Sequence, residues 1–447
     1  MQRQVRLKIV WTPPRVLVAG FAAVIACGAV LLTLPIATRS GERLPWIDAF
    51  FTATSAACVT GLVVVDTGTY FSWFGQTVIA VLIQVGGLGF MTMSTLIALV
   101  LKKRISLRER LILQEAMNQP SIEGIVRLVR RVVAYSLTIE AIGAALLTAR
   151  WAFDMPFPRA LAFGVFHAVS LFNNAGFDLF GDFRSLTDYV NDPFVNVVAM
   201  GLIVLGGIGF IVISDVLEYP KRGKLSLHSK VVLATTAFLI VFGAVVIFIF
   251  EATNPKTLGS LDAGGKILAS FFQSVTPRTA GANTLDIASL RQATQFFLIL
   301  LMFIGASPGS TGGGIKTTTF ATLVGAMAAM IRGKEDIVMF RHRLAKDRIY
   351  KAITLTLFAL IWVIAMTMVL STTEDRHFLM ILFEVTSAFG TVGLSMGLTP
   401  HLTVVGKIVI MVTMFAGRLG PVTLAYALQP RPEKELFRYP EGKITIG

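Results

Sequence analysis

The feature that most constrains this chain is one pattern written four times. A phenylalanine stands ten residues before a glycine at Phe51 and Gly61, Phe166 and Gly176, Phe271 and Gly281, and Phe383 and Gly393. The residues between them are mostly small or apolar, and the position six before the glycine is Ser55, Ser170, Val275 and Ser387. Successive glycines are 115, 105 and 112 residues apart, so the chain reads as four copies of one unit. In each copy the turn lies between two apolar stretches, the arrangement of a loop that enters an apolar layer and returns.

Composition says which apolar layer. Hydrophobic residues make up 54% of the 447 and charged residues 15%, too apolar for a soluble domain of this length. Stretches of roughly 20 apolar residues, enough to cross ~30 Å of hydrocarbon, recur along the chain. The first, 16–35, lacks a small-residue cleavage site and is followed by more spans, so it reads as a membrane helix and not a signal peptide. Cys27 and Cys58 supply neither a disulfide framework nor metal-ligand spacing. The net charge of +14 is concentrated at the two termini and in 102–131, 221–230 and 332–351, the connections between units. That asymmetry follows the positive-inside rule and puts both termini and the connections in the cytoplasm. Basic and aromatic residues do not interleave as in a nucleic-acid face.

Each unit is expected to hold an outer helix, a short pore helix, a glycine turn and an inner helix. The units are 1–101, 102–220, 221–340 and 341–447. Outer helices are predicted at 16–35, 126–147, 230–250 and 349–370, and pore helices at 46–57, 157–172, 264–275 and 378–389. Inner helices are predicted at 74–101, 194–217, 296–330 (interrupted) and 404–428. The fold class is therefore an all-α integral membrane protein with eight transmembrane helices and four re-entrant pore helices around a pseudo-fourfold central pore. The inner helices share a second signature, Gly86-Gly87-Leu88-Gly89-Phe90 and Gly206-Gly207-Ile208-Gly209-Phe210, with Gly417-Arg418-Leu419-Gly420 in the last unit. Small residues of this kind mark close helix contacts in membranes.

Irregular backbone at membrane depth must be buried in protein or face water. Four such loops on one axis meet that condition, and glycine accepts the positive φ that turns carbonyls inward. Rings of carbonyls replace the hydration shell of a potassium ion. The third inner helix reads Gly305-Ala306-Ser307-Pro308-Gly309-Ser310-Thr311-Gly312-Gly313-Gly314-Ile315-Lys316, which cannot continue a helix. Gly309 and Gly314 have the separation of a phosphate-binding loop, but Ile315 stands where that motif needs lysine and no strand precedes it.

Thr391-Val392-Gly393-Leu394, Asn173-Asn174-Ala175-Gly176-Phe177 and Thr276-Pro277-Arg278-Thr279-Ala280-Gly281, set in this fourfold plan, resemble the Trk/Ktr/HKT superfamily of potassium transporters. The likeness covers essentially the whole chain, and the short N-terminus is most similar to the bacterial Ktr membrane subunit (KtrB-like). The resemblance implies a selectivity filter made by Cys58, Val59, Thr60, Gly61; Asn173, Asn174, Ala175, Gly176; Arg278, Thr279, Ala280, Gly281; and Gly390, Thr391, Val392, Gly393. Cys58 replaces a more familiar hydroxyl residue. The resemblance also implies an intramembrane gate loop, Gly305 to Gly314, with Arg418 at its level and Lys316 just beyond it. Lys316 has two readings, a loop contact or a lysine snorkelling to the interface. The transported ion would be K+, with Na+ as a possible activator or second ion, and no organic cofactor. The implied partners are a second copy of the chain and a cytosolic nucleotide-binding regulator ring (KtrA/KtrC-like), in a bacterial plasma membrane. The basic connections 102–131 and 332–351 read either as docking surfaces or as topology signals, and the tail 437–443 as a dimer contact.

An arginine within a span, such as Arg418, costs roughly 2.5–3.5 kcal/mol and so needs a polar partner or a cavity. Arg278 is expected behind the filter, paired with Glu384. Glu140 is the residue on which a proton-coupled alternative would rest, although an outer-helix carboxylate more simply bonds a neighbouring helix. His167 reads as a packed, hydrogen-bonded histidine. The rival functions are a transporter coupled to sodium or protons, and a membrane enzyme or scaffold. The last has no metal-ligand pair or Ser/His/Asp set to support it.

Overall fold

The computed structural model describes residues 12–89, 92, 93, 95, 106–116 and 124–420. The expectations for the N-terminus up to residue 11, for most of 96–123, and for the tail beyond 420 lie outside the described residues.

The same order of elements appears four times. Long helices Pro13–Leu32, Ile125–Trp151, Leu227–Glu251 and Lys346–Thr373 are each followed by a shorter one, Trp46–Ala57, Phe157–Phe172, Ala263–Val275 and Phe378–Gly390. After the glycine turn comes a third helix, Trp73–Leu88, Pro193–Gly207, Gln292–Phe303 or Val404–Leu419. Among the described residues the four long helices are long and apolar enough to cross a membrane, and a fifth span results if the bent pair Pro193–Gly207 and Phe210–Lys221 counts as one. The 12 to 16 residues of the short helices rise about 18–24 Å, less than the hydrocarbon thickness. Their small-residue faces are buried at the centre, while Val30, Ile142, Ile249 and Ile361 on the long helices are exposed on the outside. An apolar exterior around a polar centre inverts the soluble arrangement and suits lipid as solvent.

Side chains start the third helices by accepting orphan amides: Ser72 from Gly75, Asp192 from Phe194 and Val195, and Thr403 from Gly406. The same starts are tied to the end of the preceding long helix or the turn after it, differently in each unit. Ser72 Oγ donates to Ile36 O at 2.5 Å, and Arg150 Nε meets Asp192 Oδ2 at 2.7 Å. Glu251 accepts from the Arg291 amide at 2.9 Å and from Thr294, and Glu374 accepts from Thr403 Oγ1 at 2.6 Å. Four chemistries thus hold one geometry.

The predicted inner helices are corrected here. The second is broken as well as the third, and within the described residues the first and the fourth each end at a glycine. Trp73–Leu88 ends at Gly89 (φ 82°), Pro193–Gly207 turns by 100° through Gly209 (φ 93°), and Val404–Leu419 ends at Gly420 (φ 81°). The last glycine of each repeated signature takes a backbone conformation that L residues avoid, and the helix stops there. The earlier glycines serve approach. A Cβ on Gly86, Gly206 or Gly417 would collide with the carbonyl of Ala57, Phe172 or Phe389 at the end of the short helix of its own unit.

The ring of units closes between the first and the last. Lys407 Nζ, on Val404–Leu419, lies 2.5 Å from Asp48 Oδ1 in the first turn of Trp46–Ala57, with exposures of 14% and 16%. Breaking a pair this buried leaves an unpaired charge. We expect Lys407→Met to lower stability in detergent by about 3 kcal/mol, with part of the loss recovered when Asp48→Asn is added. Thermal melting of the two single variants and the double checks this; equal melting of all forms would show that the pair does not close the ring.

Candidate functional site

The four glycines meet. Gly61, Gly176, Gly281 and Gly393 have φ of 91°, 68°, 75° and 90°. A Cβ built on Gly61 would lie 3.2 Å from Gly176 Cα, and one on Gly176 2.9 Å from Gly281 Cα. One on Gly281 would lie 3.2 Å from Gly393 Cα, and one on Gly393 3.0 Å from Gly61 Cα, which returns to the start. Each glycine also faces the carbonyl before the next: Gly61 faces Ala175 O, Gly176 Ala280 O, Gly281 Val392 O and Gly393 Thr60 O. A side chain at any of the four would collide with that main chain.

The residue two before each glycine is left-handed as well: Val59 (φ 54°), Asn174 (57°), Thr279 (76°) and Thr391 (50°). Non-glycine residues hold this conformation only where their surroundings impose it. Alternating hand along a strand turns successive carbonyls to one side, which faces the axis in a closed ring. The short helices end at Ala57, Phe172, Val275 and Gly390, a few residues short of the glycines. Their C-terminal ends carry partial negative charge, so the helices and the carbonyls favour a cation together.

Hydrogen bonds from behind fix the loops. The amides of Thr60, Ala175 and Val392 donate to the carbonyls of Ser55, Ser170 and Ser387 at 2.8, 2.7 and 2.8 Å. Ser55 and Ser387 Oγ accept from the Gly61 and Gly393 amides, both at 3.1 Å, whereas Ser170 Oγ donates to Phe177 O at 2.7 Å. Where Val275 replaces serine, Thr276 takes over. Its carbonyl accepts from the Ala280 amide at 2.9 Å and its hydroxyl donates to Ala282 O, the counterpart of Phe177 O. His167 Nδ1 lies 2.8 Å from Phe163 O and its Nε2 accepts from the Leu179 amide at 3.3 Å, a packed histidine as expected.

Arg278 lies behind the ring but not against Glu384, so the expected pair is not formed. Its Nη2 donates to Thr236 Oγ1 on Leu227–Glu251 at 3.2 Å. Glu384 accepts instead from Ser395 Oγ at 2.8 Å and from Thr399, which occupy its carboxylate and fasten the segment after Gly393. Glu140 bonds across to Asn173 Nδ2 at 3.0 Å, the contact with an adjacent element expected of it.

Below the ring, the segment from Ile304 to Lys316 separates Gln292–Phe303 from Thr317–Ile331. It runs under two of the loops. A Cβ on Gly312 would collide with Thr279 Oγ1, and the Gly313 amide donates to Thr391 Oγ1 at 3.0 Å. The amides of Ser307 and Thr311 donate to Gly207 O and Gly206 O at 3.0 and 3.3 Å. Two cations finish the attachment. Arg418 donates to Thr311 O, to Gly86 O and to Gly87 O, the last at 2.9 Å. Lys316 Nζ donates to Gly312 O at 2.7 Å and Gly313 O at 3.3 Å, so it turns in to the loop and does not snorkel.

Gln84, whose Oε1 accepts from Asn173 Nδ2 at 3.0 Å, and the carbonyls of Gly206 and Gly207 belong to this site without having been expected there, and Thr276 was singled out only as part of the third motif. An amide in an apolar helix was the available signal for Gln84. The glycine signature pointed to helix contact, and its exposed carbonyls as docking points for the loop follow only from the break after it.

Comparison with known proteins supplies the lineage. The TrkH family, described as "Cation transport protein", matches residues 16–439. The Ktr system potassium uptake protein B of Bacillus subtilis is 48% identical over 437 residues, covering 98% of this chain and 97% of that protein. The potassium/sodium uptake protein NtpJ of Enterococcus hirae is 40% identical over 453 residues, covering 100% and 99%. The crystal structure of the potassium transporter TrkH from Vibrio parahaemolyticus superposes with a TM-score of 0.73 over 96% of this chain and 87% of that one, at 18% identity, a likeness of fold. The chain therefore belongs to the TrkH family of cation transport proteins.

Proposed function

We propose that this protein carries potassium into the cell, down its electrochemical gradient, through one pore per chain. The observation that carries the reading is the closed ring of Gly61, Gly176, Gly281 and Gly393, each against the carbonyl that precedes the next. In this reading the four loops are a selectivity filter. The carbonyls of Thr60, Ala175, Ala280 and Val392 replace water around the ion, and the helix C-termini lower the energy of the desolvated cation. Arg278 contributes its backbone only, since its guanidinium is turned to Thr236. The name of the Bacillus subtilis relative, Ktr system potassium uptake protein B, supports potassium as the ion.

The membrane arrangement belongs to the same proposal. Eight spans and four half-spans form units divided near 101, 220 and 340, with both termini in the cytoplasm. The segment Gly305 to Gly314 is the gate. It stands on the cytoplasmic side of the filter, held shut by Arg418 and Lys316. Its fastenings to Gly206, Gly207 and Arg418 come from two other units, so movement of those units would release it. A cytosolic nucleotide-binding partner drives that movement, docking on the basic connections, which include the exposed hairpin Val338–Met339 and His342–Arg343. The chain works as a homodimer.

A sodium-coupled version of uptake is favoured by one observation, the potassium/sodium uptake protein among the relatives. The two readings separate in liposomes at fixed membrane potential, where coupled uptake follows an imposed sodium gradient and channel-like uptake does not.

Gly61→Ser or Gly393→Ser drives a Cβ into Ala175 O or Thr60 O and strains a positive φ. We expect each to lower the preference for potassium over sodium by about tenfold or more. Radiotracer uptake of both ions in liposomes checks this, and unchanged selectivity in both variants would remove the filter assignment. Deleting residues 307–313, or Arg418→Met, is expected to raise basal flux in the absence of any partner severalfold. Flux equal to the parent protein's in both would remove the gate.

A further inference from the structure

The second loop of the ring is held in a way the other three are not, and the holder lies far from the axis in the chain. We infer that Glu140 is a positioning residue for selectivity, acting through Asn173; this rests on the filter reading above. Asn173, the residue that caps Phe157–Phe172 three positions before Gly176, is fully buried. Its Nδ2 has three acceptors, each at 3.0 Å: Glu140 Oε1 on Ile125–Trp151, Gln84 Oε1 on Trp73–Leu88, and the Val169 carbonyl in its own helix. Three acceptors around one amide nitrogen fix which way the side chain is turned. Reversal would put the amide oxygen among oxygens.

The other end of the same amide is equally confined. Asn173 Oδ1 stands against Gly87, where a Cβ would overlap it, and has no hydrogen-bond partner. Gly87 in turn gives its carbonyl to Arg418 at 2.9 Å, and Arg418 holds Thr311 of the gate segment. Glu140, Asn173, Gly87, Arg418 and Thr311 therefore form one contiguous chain of contacts from an outer helix, through the base of the filter, to the gate.

Asn173 is followed directly by Asn174, whose left-handed φ of 57° sets the direction of the carbonyls before Gly176. Its two N–H groups are shared among three acceptors, so loss of Glu140 leaves Gln84 Oε1 and the Val169 carbonyl to satisfy both, but removes one of the three directions that fix the amide and lets the loop turn with it. The other loops have no counterpart to Glu140. The equivalent positions are Cys58, Thr276 or Arg278 by the local geometry of their units, and Gly390, none of which reaches an outer-helix carboxylate. The second loop is thus set by a buried carboxylate on its outer helix, as the third is tied to its outer helix by a hydroxyl, and a change at that carboxylate alters the cage for the ion without touching it.

The test is the potassium-to-sodium uptake ratio of the purified full chain in liposomes at fixed membrane potential. Glu140→Leu is expected to lower the ratio about fivefold, because one of the three groups that hold the Asn173 amide in its direction is lost. Glu140→Gln keeps an acceptor oxygen and is expected to hold the ratio within about twofold of the parent. Asn173→Leu combined with Glu140→Leu is expected to give no further loss beyond Asn173→Leu alone, the non-additivity of groups acting in series. If Glu140→Leu does not fold, Gln84→Leu, which removes another of the three groups that fix the Asn173 amide, carries the same expectation. A parental ratio in Glu140→Leu, with Gly393→Ser lowering it in the same assay, overturns the role of Glu140 and leaves the filter standing. A parental ratio in Gly393→Ser as well overturns both. A lowered ratio that Glu140→Gln fails to restore also overturns the acceptor role assigned here.

Discussion

Four glycines packed against one another leave no room for a side chain at any of the four positions, and each faces a main-chain carbonyl of the next loop. That restriction organises the rest. Each glycine packs so closely on the next loop that a single Cβ collides with a carbonyl, and the ring holds only if all four units bring their loops to the same depth. The short helices, of 12 to 16 residues, are too short to cross an apolar layer and stop where the loops begin. The long helices around them then fall on the outside, with apolar faces turned away from the centre.

The repeated geometry does not require repeated chemistry. Ser72, the Arg150–Asp192 pair, Glu251 and Glu374 all tie the end of an outer helix, or the turn after it, to the start of the next helix of the unit. Behind the ring, three serine carbonyls and one threonine carbonyl accept the equivalent amides. Copies of one unit that diverge in sequence can keep the backbone while each finds its own side-chain solution, and this freedom lets the units differ in function. The third has given up helix continuity for a polar segment beneath the ring. The fourth has Arg418, which fastens that segment.

Much of this was readable in the sequence, for a physical reason. The spacing of phenylalanine and glycine marks each short helix and the turn after it, with the phenylalanine inside the helix, and the short helices were expected at 46–57 and 157–172, where the structure has Trp46–Ala57 and Phe157–Phe172. What could not be read were interactions between units. Arg278 and Glu384 have opposite charges and neighbouring loops, yet each finds hydroxyl partners nearer its own unit. The breaks at Gly89, Gly209 and Gly420 were hidden because a glycine in an apolar run is compatible with a continuous helix, and only φ distinguishes the cases. Lys316 could have turned to either solvent or loop until the carbonyls of Gly312 and Gly313 were in place.

The central claim is that the carbonyls of Thr60, Ala175, Ala280 and Val392 hold a dehydrated monovalent cation. Anomalous diffraction from crystals of the full chain grown with thallium or rubidium in place of potassium addresses it directly. The account predicts an anomalous peak on the axis of the glycine ring, within coordinating distance of those four oxygens. A ring without a peak at saturating ion, or peaks bound only to acidic side chains at the periphery, would contradict it.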